Sequence, residues 1–132
     1  MARQQTVLLL ARDGLTRKVT SAALVMFGHE VLTPINGEQA LEMVRTNKKI
    51  SLLVIDADMD GDVSGIAVAR TARGIIAKVD VIYTSRVPHH IPQRAMVSGA
   101  PILRDPYQPH QLVGVIAHLK ARSPEFAEQS AA

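Results

Sequence analysis

Five short strand-like runs punctuate this chain, and each is followed by a turn signal and, four times clearly, by a stretch of helical periodicity. "TVLLL" (Thr6 to Leu10), "EVLT", "LLVI" (Leu52 to Ile55), "VDVIYT" (Val79 to Thr84) and "PILR" are the five. Runs of this length with no polar face suit strands buried on both sides, as in a parallel sheet. Five such units with short connections leave few alternatives to an α/β fold with one parallel sheet and helices on both faces.

The helical stretches are marked by their spacing and ends. Leu15, Val19, Ala22, Ala23, Met26 and Phe27 recur at helical spacing, and Gly28 follows as a C-terminal glycine. Asn36 with Gln39 three residues on reads as a capping-box-like start for a helix burying Ala40, Leu41 and Val44. A third helix is expected from Gly65 to Arg73, ending at Gly74. Pro88 and Pro92 delay the next, a short helix expected from Pro92 to Ser98. Pro109 suits the first turn of a last helix carrying Leu112, Ile116 and Leu119 on one face. That layout predicts a flavodoxin-like (βα)5 doubly wound sheet in the order 2-1-3-4-5, with three helices on one face and two on the other. One domain is expected over 1–122, followed by a frayed tail at 123–132.

Composition narrows the function classes. Cysteine is absent, which excludes disulfides and thiolate metal sites and fits the cytoplasm. No apolar stretch approaches membrane-spanning length, so no membrane role is expected. The formal charge is +3, but the basic residues are scattered and no nucleic-acid motif is visible, so no direct nucleic-acid contact is expected. His89, His90 and His110 lack acidic or Cys partners at ligand spacing and read as surface residues. Met26, Met43 and Met96 read as core filler.

The segment Asp56-Ala57-Asp58-Met59-Asp60-Gly61-Asp62 begins like a calcium loop. The twelfth position, where such a loop needs a bidentate Glu, is Ala67, and the preceding segment is strand-like rather than helical. Asp60 and Asp62 then read as solvated loop acids, and Asp56 as a carboxylate at the tip of a central strand. In an open α/β sheet the site lies outside the carboxyl ends of the strands, at the point where the order reverses. Topology therefore selects Ala11, Arg12 and Asp13 after strand 1, Asp56 after strand 3, Thr84 and Ser85 after strand 4, and Arg104 and Asp105 after strand 5.

With these landmarks in order, the chain resembles a response-regulator receiver domain, the phosphoaccepting module of two-component signalling. "GEQALEMV" resembles the start of that family's second helix, and "LLVID" the strand ending in the phosphoacceptor. "DMDGDVSGIAVAR" resembles the loop and third helix, "VIYTS" the strand with the switch hydroxyl, and "SGAPILRDPY" the fifth strand with its Lys-Pro-aromatic ending. The resemblance implies Asp56 as phosphoacceptor position, Thr84 as switch hydroxyl, and Asp58 where a backbone carbonyl ligates Mg²⁺. It also implies Pro106 at a position whose preceding peptide bond is commonly cis.

The chain departs from the family's pattern in its pocket. An acidic pair that holds Mg²⁺ is replaced by Ala11-Arg12, and the family's Lys by Asp105, with Arg104 just before it. Two unit charges of like sign ~4 Å apart repel by roughly 4 kcal/mol at an effective dielectric near 20, and a divalent ion feels more. The residues left for a metal are Asp13, Asp56 and Asp58, a weak site at most. The two changes have opposite sign: one reading is drift in a site no longer used, and the other, favoured because an unpaired buried Asp56 is costly, is that Arg12 bridges Asp56 or Asp105 in place of the metal. The resemblance thus implies a single-domain, atypical receiver that is not an enzyme and needs no cofactor, and acts by binding a protein partner, a histidine kinase or a downstream protein. The alternative is an active receiver using Mg²⁺ and phosphorylated on Asp56 by a histidine kinase. The expected partner face, with homodimerisation open, carries Arg94, Tyr107, His110 and Gln111.

Overall fold

The computed structural model describes residues 5–121; the expected tail at 123–132 lies outside them. Its strands are β1 (Thr6–Leu10), β2 (Glu30–Leu32), β3 (Ile50–Asp56), β4 (Asp80–Ser85) and β5 (Ile102–Arg104). Its α-helices are α1 (Gly14–Met26), α2 (Gly37–Thr46), α3 (Gly65–Ile75) and α4 (Pro109–Ala121). The strands pair in parallel in the order β2-β1-β3-β4-β5, as predicted. The chain has the flavodoxin-like α/β fold.

The wholly apolar strands follow from a sheet covered on both faces. Because successive side chains point to opposite faces, Leu8, Leu10, Leu53 and Ile55 join one core with Ala40, Val44, Val68 and Ala72 of α2 and α3. Val7, Leu9, Leu52 and Val54 join the other, with Leu24 of α1 and Leu112 and Ile116 of α4. Burying a side chain of this size contributes about 1.5–3 kcal/mol, so the doubled set of strand residues anchors the sheet.

Helix ends behave as their residues require. Asn36 accepts from Gln39 N at 2.8 Å, and Gln39 Oε1 accepts from Ile35 N at 2.8 Å. Ser64 caps α3 through Ala67 N at 3.1 Å. After α1, Gly28 takes φ +89°, a left-handed conformation open to glycine. There Gly28 N donates to Val25 O and His29 N to Leu24 O, closing the helix with paired turn bonds.

Three expectations are corrected. The helix expected at Pro92 to Ser98 is absent: the β4–β5 crossover carries only two 3-10 turns, Pro88–His90 and Gln93–Ala95. Pro88 and Pro92 lack amide donors, Gly99 has φ +78°, and Val97 N donates to Tyr83 Oη instead of to a helix carbonyl. Two α-helices therefore cover each face, and not three and two. Helix α3 also runs through Gly74 to Ile75, since nothing at Gly74 requires a left-handed turn. Finally, α1 forms where expected but turned the other way. Thr20 and Leu24 are its buried residues, while Leu15, Val19, Ala22, Met26 and Phe27 face outward. A helical repeat shows that a stripe exists, not which stripe meets the sheet. Met26 is consequently surface, whereas Met43 and Met96 pack against the core.

Candidate functional site

Strand alternation and register assemble the site. Asp56 is the last residue of central strand β3, between β1 and β4, and is buried. It pairs in register with Thr84, whose carbonyl accepts from Ala57 N at 2.8 Å. The loop after β1 brings Ala11, Arg12 and Asp13 to the same end. Together with Arg86, Asp105 and Tyr107 these residues enclose a cleft whose free volume is ≈ 20 Å³, room for about one water.

Arg12 lines that cleft. Its Nε donates to Asp56 Oδ2 at 2.9 Å, and its backbone N donates to the same oxygen at 3.3 Å. The other carboxylate oxygen, Oδ1, accepts from Asp58 N at 2.9 Å. Arg12 Nη2 also lies 3.8 Å from Asp58 Oδ2. A guanidinium presents its donors in a planar fork, and here that fork spans the acids of the site. The expected bridge is therefore to Asp56, not to Asp105.

Asp105 finds a cation that the sequence reading missed. Arg86 Nε lies 3.6 Å from Asp105 Oδ2, and Asp105 N donates to Ser85 O at 2.9 Å. Arg86 directly follows the Thr84-Ser85 pair, and that position was the available signal. The Asp105-Pro106 peptide is cis. Arg104 is exposed at the end of β5.

Asp58 closes the base of the site as a turn staple. Its carboxylate accepts from Ser85 Oγ at 2.7 Å and from Arg86 N at 2.8 Å. Asp13 does different work. It is the N-cap of α1, accepting from Thr16 N and Thr16 Oγ1, both at 2.8 Å. Those bonds, the backbone one first, hold its carboxyl below the usual carboxylate range.

The donor set does not suit a divalent ion. Ala11 offers no side-chain ligand, and its carbonyl accepts from Arg17 Nη1 at 3.0 Å. Both oxygens of Asp56 face N–H donors, Asp58 is committed to the β4 turn, and Asp13 to α1. Among the described residues no group of three or more His, Cys, Asp or Glu could hold a metal ion.

Tyr107 is half-buried. It packs against the core under α1 and α4, and its hydroxyl lies 3.0 Å from Thr20 Oγ1. Burial is the main reason its phenol is held above the usual range, with Asp105 and Asp56 pushing the same way and the Thr20 contact opposing. Arg94, His110 and Gln111 are exposed as expected, although Arg94 sits on a 3-10 turn and not on a helix. No helix of the described residues is long and apolar enough to cross a membrane.

No family model matches this sequence, and no curated protein matches it. Solved structures do. A CheY-like response regulator receiver domain protein from Methanospirillum hungatei superposes with a TM-score of 0.76 at 17% identity, covering 98% of each chain. The chemotaxis protein CheY4 of Vibrio cholerae gives 0.74 at 17% identity, over 88% of this chain and 98% of its own. The response regulator TrrA of Thermotoga maritima, solved with Mg²⁺ and BeF, gives 0.73 at 20% identity, over 88% of this chain and 99% of its own. At these identities the likeness is one of architecture: the chain has the fold of response-regulator receiver domains.

Proposed function

We propose that this chain is a receiver of two-component signalling, located in the cytoplasm. It acts by binding a protein partner, a histidine kinase or a downstream protein, with Mg²⁺-dependent phosphorylation of Asp56 weak or absent. The observation that carries this reading is the Arg12–Asp56 pair at 2.9 Å. It puts a permanent cation against the acceptor position, in the space a metal and an incoming phosphoryl group would need.

Phosphoryl transfer to a carboxylate brings two anions together, and a metal supplies much of the compensation. Here Arg12 neutralises Asp56 without a metal and repels one. The Arg86–Asp105 pair further ties up the residue at the position where a cation would face the phosphate. The chain is then a fixed-state binding module with no catalysis of its own.

A second reading, an active receiver phosphorylated on Asp56, draws on the register of Asp56 with Thr84 at the strand tips. Titration with Mg²⁺ by calorimetry, followed by intact-mass measurement after incubation with acetyl phosphate, separates the two. The wild type should show negligible Mg²⁺ heat and no Mg²⁺-dependent mass gain. Ala11→Asp, Arg12→Asp and Asp105→Lys combined should recover metal binding and partial phosphorylation. Arg12→Asp alone should not, because Ala11 still offers no carboxylate and Asp56 is left without a cation for the phosphate, with Asp105 still in place of a Lys. Stoichiometric Mg²⁺-dependent phosphorylation of the wild type would install the second reading.

A further inference from the structure

The basic residues are scattered along the sequence, but the fold gathers six of them at one corner. Helices α2 and α3 pack against each other over one face of the sheet, and both end where strands β3 and β4 begin. Arg45 lies in the last turn of α2, and Lys48 and Lys49 follow in the turn to β3. Arg70 and Arg73 lie on α3, and Lys78 precedes β4. Leu52 pairs with Asp80. The same register carried back along both strands sets Lys78 beside Ile50, directly after Lys49, one strand spacing of about 4.8 Å away. All six basic residues are exposed.

Helix electrostatics explain part of this cluster. Cations suit the negative end of a helix dipole, which accounts for Arg45 and Arg73, and Arg73 Nε also donates to Ala77 O at 2.9 Å. Lys48, Lys49 and Lys78 lie outside the helices, and Arg70 sits in the middle of α3. Among the described residues, none of Arg45, Lys48, Lys49, Arg70 and Lys78 forms an ion pair with a carboxylate. At the other end of the sheet the cations are paired, Arg12 with Asp56 and Arg86 with Asp105. The molecule is thus polarised along its strands. Like charges held together without counter-charges repel one another and set up a field that draws an anionic partner.

We propose that this corner, at the C-terminal ends of α2 and α3, docks an acidic segment of a protein partner, rich in Asp or Glu. No exposed large apolar side chain lies among the cations, and no aromatic residue occurs at 42–50 or 70–80. The patch therefore offers neither a face for membrane insertion nor a platform for base stacking. Acids bound it: Glu38 and Glu42 are exposed further along α2, and Asp80 is half-buried at the start of β4. Those acids repel a continuous phosphate backbone, whereas a short peptide fits between them. Packed helix axes stand about 8–10 Å apart, a gap that about three extended residues span. The arginines can each hold a carboxylate with two parallel bonds. The inference rests on the proposed reading only in taking the partner to be a protein, and it does not involve the Asp56 pocket.

The test titrates the full chain into a fluorescein-labelled peptide of alternating Glu and Ser, read by anisotropy. The same peptide with Gln for Glu, and a labelled DNA duplex, are the comparisons. The Glu peptide should bind, more weakly as salt rises, and the Gln peptide should not. Lys48→Gln, Lys49→Gln and Lys78→Gln combined should weaken binding roughly tenfold. Lys18→Gln, which removes an exposed cation on α1, should leave it unchanged. In isotope-labelled chain the Glu peptide should shift amide signals over residues 45–49 and 70–78 and spare those around Asp56. Absence of binding, equal binding by the triple variant, or shifts centred elsewhere would overturn the proposal. So would tighter binding of the duplex, because a nucleic acid would then be the occupant. None of these results bears on the Mg²⁺ and acetyl phosphate experiment, so the two readings fail separately.

Discussion

Replacing Arg12 with Ala removes the Nε bond to Asp56 but keeps the backbone donor at residue 12. The size of the effect follows from the exposure of the two partners. The Asp56 side chain is 9% exposed and that of Arg12 40%. A fully exposed pair contributes about 0–1 kcal/mol, and stripping one partner from a fully buried pair costs about 3–5 kcal/mol. Arg12 is partly screened by water, and Asp56 retains two backbone donors, so the value lies between. A charge-assisted hydrogen bond contributes about 1.5–3 kcal/mol, and we take ~2 kcal/mol. For a chain of 132 residues, an unfolding entropy of about 2.1 cal/mol/K per residue converts this to a fall in Tm of about 7 °C. A double-mutant cycle with Asp56→Asn, read by reversible urea unfolding, isolates the pair. A coupling of ~2 kcal/mol is expected. A coupling below about 0.5 kcal/mol, the level of exposed pairs, would refute the argument that Arg12 compensates Asp56.

Two glycines should respond in opposite directions. A Cβ at Gly65 would collide with the Asp56 carbonyl oxygen, whereas nothing lies near one at Gly114 within α4. Gly65→Ala should therefore destabilise by about 1–3 kcal/mol, and Gly114→Ala should stabilise by roughly 0.5–1 kcal/mol, both read as shifts in urea midpoint. Burial first, and the charge of Lys120 second, hold the His29 imidazole below its usual 6.5. The unfolded chain then takes up that proton first on acidification, so the stability His29 contributes is present above its unfolded pKa and is lost as pH falls toward the folded one. The wild type should lose more midpoint than His29→Gln between about pH 7.5 and about pH 5.5; equal losses would remove His29 as the cause. Tyr107→Phe deletes the contact with Thr20 and should cost about 1 kcal/mol, and Thr20→Val should make the second change nearly silent.

The sequence alone determined the sheet. The inner strands are short, largely apolar runs explained by burial on both faces, and the turn residues between runs left one economical order. It also determined the cap at Asn36, the glycine closing α1 and the residues gathered at the strand tips, because these depend on neighbours a few positions away. The pairing inside the site was not local. Arg12 could have met Asp56 or Asp105; β3 lies next to β1 in the sheet, β5 two strands further on, and Arg12 meets Asp56. Arg86 claimed Asp105 across the sheet edge, and Asp13 turned to α1 because Thr16 offered it two donors. The facing of α1 was decided in the same way. Its repeat contains two apolar stripes, and the sheet took the one with Thr20 and Leu24, since Tyr107 supplies a partner for the buried hydroxyl. Only the packed structure brings these distant groups within bonding reach, and local pattern carries no information about that distance.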